Sequence, residues 1–208
     1  MVKNDIVSNL IEINAIKLNP ANPFTWASGW HSPIYCDNRK ILSYPAVRKL
    51  VYNKFKEVIK EHFADVDVIA GVATGAIAHG ALVAEAMNLP FIYIRSAAKQ
   101  HGLANLIEGD IKPGQKVVVI EDLISTGMSS LKAVDALRDA GANVLGMVAI
   151  FTYGFDVAQK SFEEKKVPVL TLANYHQLID YALSISMIDK SQLDILKSWR
   201  ENPEAWGK

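Results

Sequence analysis

The sequence predicts an α/β fold, a mostly parallel central sheet flanked by helices. Three observations carry this. Short, predominantly apolar runs recur at residues 66–70, 91–94, 117–120, 144–151 and 167–172. Helical patterns separate most of them, at 76–87, 128–140 and 155–165. Strands that are apolar throughout, rather than alternating, belong to sheets covered on both faces. With 208 residues, half of them hydrophobic and 21% charged, the chain can bury a substantial core in one domain.

Taken in order, residues 4–18 read as an amphipathic helix with Ile6, Leu10 and Ile13 near one face. Residues 19–39 hold three prolines and two tryptophans, and read as an ordered loop or short hairpin. Pro45 opens a helix whose apolar face is Val47, Leu50, Val51, Phe55, Val58, Ile59 and Phe63. The alternating strands and helices follow. The helix over 128–140 turns Leu131, Val134 and Leu137 inward and stops at Gly141. The tail, with Trp199 and Trp206 among charged residues, reads as a docked helix or an exposed arm.

Twenty-two basic residues balance twenty-two acidic ones, which gives no support to a broad nucleic-acid surface. No run approaches the roughly eighteen continuous apolar residues of a membrane span. The first residues carry charges where a signal peptide needs its apolar stretch. Cys36 is the single cysteine and forms no internal disulfide. A cytoplasmic address is expected, without a membrane or nucleic-acid partner.

In parallel sheets ligands bind beyond the carboxyl ends of the strands. At one such end stands KVVVIEDLISTGMSS, residues 116–130. Glu121 and Asp122 arrive where the strand is expected to end, and suit the hydroxyls of a sugar. Leu123, Ile124, Ser125, Thr126, Gly127, Met128 and Ser129 follow. A tight glycine-containing turn with hydroxyl donors, opening into a helix, suits a phosphate. The spacing is neither that of a nucleotide-binding phosphate loop nor that of a dinucleotide fingerprint. An ordinary helix cap beside two incidental acids is the plainer reading, and the buried strand with its acidic pair counts against it.

Two further strand ends add to this pocket. Ala73, Thr74 and Gly75 present backbone N–H groups to a diphosphate, or merely cap a helix. Arg95, Lys99 and His101 fall within seven positions of a small-residue loop. Such a basic lid would neutralise a diphosphate leaving group and exclude water. Upstream, Phe24, Trp26 and Tyr35 suit a wall for a planar base, with Arg39 close by. Cys36 reads as packing, and His79 as structural or surface.

The segment VVVIEDLISTGMS resembles the ribose-diphosphate signature of the type I phosphoribosyltransferases. Residues 22–39, 71–79, 95–109 and 149–155 extend the likeness to the orotate phosphoribosyltransferase family, over nearly the whole chain. The resemblance implies a phosphoribosyltransferase core at about residues 65–172, with residues 1–45 contributing a small base-binding hood. The chain, 1–208, would be a single domain of this kind.

It implies transfer of phosphoribosyl from 5-phosphoribosyl 1-diphosphate to orotate, with Mg²⁺ carried mainly by the substrate diphosphate rather than by protein ligands. Lys99, His101 and Asp122 would be catalytic. Arg95 joins them on the diphosphate side, and Ser125, Phe24, Tyr35 and Arg39 on the orotate side. The lid commonly enters the neighbouring subunit in that family, which implies a homodimer. Two positions depart from the pattern. Ser96 stands where many members have lysine, and Ala27 where several have a base-facing lysine. A purine phosphoribosyltransferase and a regulatory protein that senses the sugar donor remain as other readings.

Overall fold

The computed structural model describes residues 5–26, 28–97 and 106–206. Helix α1 (Asp5–Glu12) is followed by β1 (Ile16–Leu18), β2 (Phe24–Thr25), β3 (His31–Ser32) and β4 (Ile34–Cys36). A 3-10 helix (Asn38–Ser43) leads into α2 (Pro45–His62). The central part contains β5 (Val68–Val72), α3 (Ile77–Met87), β6 (Phe91–Ile94), β7 (Ile107–Glu108) and β8 (Lys116–Ile124). Then come α4 (Met128–Asp139), β9 (Asn143–Thr152), α5 (Asp156–Glu164), β10 (Val169–Asn174), α6 (Tyr175–Ser184) and α7 (Lys190–Glu201).

Six strands form one sheet in the order β10-β9-β8-β5-β6-β7, parallel except for the antiparallel edge strand β7. Every residue of β5 is buried, as a central strand covered on both faces requires. Successive side chains of β8 supply opposite faces. Val118 and Ile120 join a core with α1, α2, α6 and α7, while Val117 and Val119 join one with α4 and α5. The α/β class expected from the apolar runs is the fold observed.

The differences have local causes. The helix expected over 4–18 stops at Glu12, because Asn14 takes a left-handed conformation, φ +54°. The chain then turns into β1, which pairs antiparallel with β4 through Ile16 and Cys36. The strand expected over 117–120 runs on to Ile124. Its pairing with β5 ends at Ile120, but that with β9 continues to Thr152. Glu121 and Asp122 therefore stand on a strand that overshoots one neighbour. The tail is a docked helix, with Trp199 fully buried.

Candidate active site

Strand order reverses between β5 and β8, since β6 follows on one side and β9 on the other. A reversal of this kind opens a crevice at the carboxyl ends of the two strands. Both candidate loops lie there. Beyond β5, the Ala73–Thr74 peptide is cis, the Ala73 N–H donates to the Ile94 carbonyl at 2.8 Å, and the chain enters α3. Beside it, the Asp122 carboxylate lies so close to Gly75 that a Cβ there would collide with it. The turn expected to meet a diphosphate and the acid expected to meet ribose hydroxyls thus lie against one another.

Glu121 is oriented from below. Ser130 Oγ donates to its Oε2 at 2.7 Å, and the Asp122 N–H donates to Oε1 at 3.1 Å. Burial, and secondarily the neighbouring Asp122 carboxylate, hold the Glu121 pKa well above the ordinary carboxylate value. Asp122 is fixed through its own carbonyl, which accepts from Asn38 Nδ2 at 2.6 Å. Asn38 also accepts from the Cys36 thiol at 3.5 Å. Burial pushes that thiol pKa up, with the Asp122 and Asp37 charges adding to the effect.

Ser125 and Thr126 make the turn, and Gly127 enters α4 in a left-handed conformation, φ +81°. A Cβ at Gly127 would also meet Phe162 at 2.8 Å. Glycine is therefore required twice over, by conformation and by space. Among the described residues no side chain caps the N-terminus of α4. Its first N–H groups, beside exposed Met128 and Ser129, are the ones expected to meet a phosphate.

The remaining predicted residues differ in where they fall. Arg95 follows β6, held by an ion pair to Glu108 at 3.2 Å and by its N–H to the Leu106 carbonyl at 2.8 Å. Lys99, His101 and Ala27 lie outside the described residues. Phe24 and Tyr35 meet with ring centroids 5.8 Å apart, and Tyr35 is exposed. Trp26 packs in a cluster with Trp30, Tyr153 and Trp199. Arg39 Nε pairs with Asp37 at 2.7 Å, and the fields of Tyr35 and Asp122 also reach its guanidinium.

A phosphoribosyl transferase domain model matches residues 38–185, most of the chain. An orotate phosphoribosyltransferase of Porphyromonas gingivalis is 58% identical over 202 residues, covering 97% of this chain and 96% of that protein. The chain belongs to the orotate phosphoribosyltransferase family. Among solved structures, orotate phosphoribosyltransferase from Aeropyrum pernix superposes with a TM-score of 0.77 at 26% identity. That match covers 86% of this chain and 98% of that one. Leishmania donovani UMP synthase gives 0.79 at 28% identity, over 96% of this chain; the match spans 42% of that longer protein.

As a family member, the chain carries three supporting residues that the sequence reading did not single out for roles. Asn38 has no motif of its own, and only the fold brings it to Asp122. Ser130 sits one residue past the expected phosphate contacts, one helical step from Ser129. His79 is buried, and its Nε2 has no hydrogen-bond partner among the described residues. Burial lowers its pKa, against the opposing pull of the Asp122 charge and a hydrogen bond to the Asn38 backbone. Its helical position alone gave no sign of this neighbourhood.

Proposed function

We propose that this chain transfers phosphoribosyl from 5-phosphoribosyl 1-diphosphate to orotate. The products are orotidine 5′-phosphate and diphosphate, a step of pyrimidine nucleotide (UMP) biosynthesis. The observation that carries the reading is the meeting of Gly75 and Asp122 at the β5–β8 crevice, beside the uncapped start of α4.

The roles follow from the groups available. The Ala73 N–H is already taken by the Ile94 carbonyl, so the backbone N–H groups of Thr74 and Gly75, with Arg95, Lys99 and His101, take the diphosphate. Glu121 and Asp122 take the ribose hydroxyls, and residues 126–129 the 5-phosphate. As the bond from C1 to the diphosphate lengthens, positive charge develops on the ribose beside Asp122. Orotate N1 then closes on C1, and no protein nucleophile is needed. Ser125, Phe24, Tyr35 and Arg39 orient the base. Alignment, electrostatics and closure of the basic lid expected from Arg95, Lys99 and His101 supply the acceleration.

Mg²⁺ is part of this proposal, and the donors present suit a substrate-carried ion. Both Glu121 oxygens already accept protein hydrogen bonds, which leaves Asp122 as the acid available to a metal. Among the described residues no group of three or more His, Cys, Asp or Glu side chains is placed to hold one. Substrate oxygens would complete the shell, and the ion would neutralise the diphosphate. A homodimer with shared lids is likewise proposed from the family resemblance, and a cytoplasmic address from the single cysteine. Among the described residues no helix is long and apolar enough to cross a membrane.

The test is a panel of bases. Purified protein is mixed with 5-phosphoribosyl 1-diphosphate, Mg²⁺ and orotate, adenine or hypoxanthine, and base absorbance is followed. Orotate alone is expected to be consumed, and chelation of Mg²⁺ to stop the reaction. Consumption of a purine with orotate untouched defeats the assignment. Unreacted bases, with a sugar donor that alters binding to RNA or DNA, favour a regulator instead.

A further inference from the structure

The phosphoribosyl transferase domain match ends at residue 185, and α7 lies beyond it. Its partners lie on the base side. Trp199 is fully buried, and its Nε1–H donates to the His31 carbonyl at 3.1 Å, across 168 residues of chain. Trp26, next to the β2–β3 pair, meets the Trp199 ring edge-on at 5.7 Å and lies 5.1 Å from Tyr153. One residue further along, Arg200 donates Nε to the Tyr153 carbonyl at 3.2 Å and Nη2 to the Gly154 carbonyl at 2.5 Å.

Those two carbonyls bear on the site. The Tyr153 N–H donates to the Ile124 carbonyl at 3.1 Å, and Thr152 Oγ1 donates to the same oxygen at 3.3 Å. Ser125 is the next residue. The β2–β3 pair, which carries Phe24, precedes residue 38 and so also lies outside the domain match. The two segments flanking the shared domain are therefore joined to one another, and both border the region proposed for the base. The turn at residues 73–75 and the entry to α4 are braced by other groups, Ile94 and Phe162.

We propose that Trp199 and Arg200 are positioning residues for the nucleobase. Helix α7 acts as a strut that fixes the β2–β3 pair and the Tyr153–Gly154 backbone against Ser125. It sets the affinity for the accepting base and leaves that for the sugar donor unchanged. The inference rests on the orotate reading above. A guanidinium fork bound to two successive carbonyls fixes both peptide planes, which a single-point cation does less well.

The test measures initial rates of the full chain with orotate and 5-phosphoribosyl 1-diphosphate varied independently. Wild type is compared with Trp199→Phe, Arg200→Lys and Arg200→Gln. The orotate KM is expected to rise about tenfold in Arg200→Gln and severalfold in Trp199→Phe, while the sugar-donor KM stays within about twofold. Arg200→Lys recovers part of the loss. Unchanged orotate KM, equal rises in both KM values, or a fall in kcat alone overturns the proposal.

Thermal midpoints are read on the same samples. If Arg200→Gln does not fold, the lysine and phenylalanine variants, which keep charge or ring, decide the matter. A wild-type chain that turns over no orotate defeats the functional reading and this inference together. A wild type active on orotate, with variants like it, defeats this inference alone.

Discussion

Glu121 is 4% exposed, and it keeps its proton well above its ordinary value of 4.5, first through burial and then through the adjacent Asp122 carboxylate. In the window above pH 4.5 the folded chain therefore binds more protons at this site than the unfolded chain. Stability must fall as pH rises through that window, towards the folded-state pKa. Glu121→Gln removes the titration and keeps an acceptor oxygen for Ser130. Thermal midpoints of both proteins, measured across the window, are expected to show a decline in wild type that the variant lacks. Parallel curves would mean that Glu121 is ionised in the folded site. The acidic pair at the strand end was visible in the sequence and read there for sugar hydroxyls. Its unequal burial was not, because that depends on Ser130 and on where β5 ends.

At the level of elements, the crevice depends on two loops from neighbouring strands approaching without a side chain between them. Gly75→Ala tests this directly, since the added Cβ falls on the Asp122 carboxylate. Its φ is not in the left-handed region, so the backbone tolerates alanine and Asp122 must move instead. Displacement of a reacting-site group by about 1 Å can cost on the order of a hundredfold in rate. The expected outcome is a fall of that size in kcat/KM, with a thermal midpoint close to wild type; full activity would show that Asp122 has another resting place.

The basic loop is tested by Lys99→Ala. Loss of a preorganised donor to developing charge costs about a hundredfold in kcat. Steady-state rates should therefore fall far more than stability does, and unchanged turnover removes Lys99 from the lid's role. Other elements were readable in hindsight. Asn174 with Gln177, and Asp189 with Gln192, form capping boxes at the starts of α6 and α7. Strand β7 has only two residues, too short for any periodicity to register.

The whole molecule places its shared chemistry and its distinctive parts in different regions. Apolar runs announced a parallel sheet because a strand covered on both faces has no polar side to show. Those runs carry no information about strand order, so the β5–β8 reversal that creates the crevice emerged only from the fold. The region proposed for the base was the least legible part. It brings together β2, β3, the end of β9 and α7, and the link from Trp199 to His31 crosses nearly the whole chain. Trp26, expected beside the base, packs its ring with Tyr153 and Trp199 in this aromatic cluster.

The central claim is that this crevice moves a phosphoribosyl group onto orotate, and its products test that claim most directly. Protein, Mg²⁺, 5-phosphoribosyl 1-diphosphate and orotate are incubated together, and all products are quantified by chromatography. The account predicts orotidine 5′-phosphate and diphosphate appearing in equal amounts, each matching the orotate lost. Diphosphate released with ribose 5-phosphate, while orotate stays intact, would contradict it.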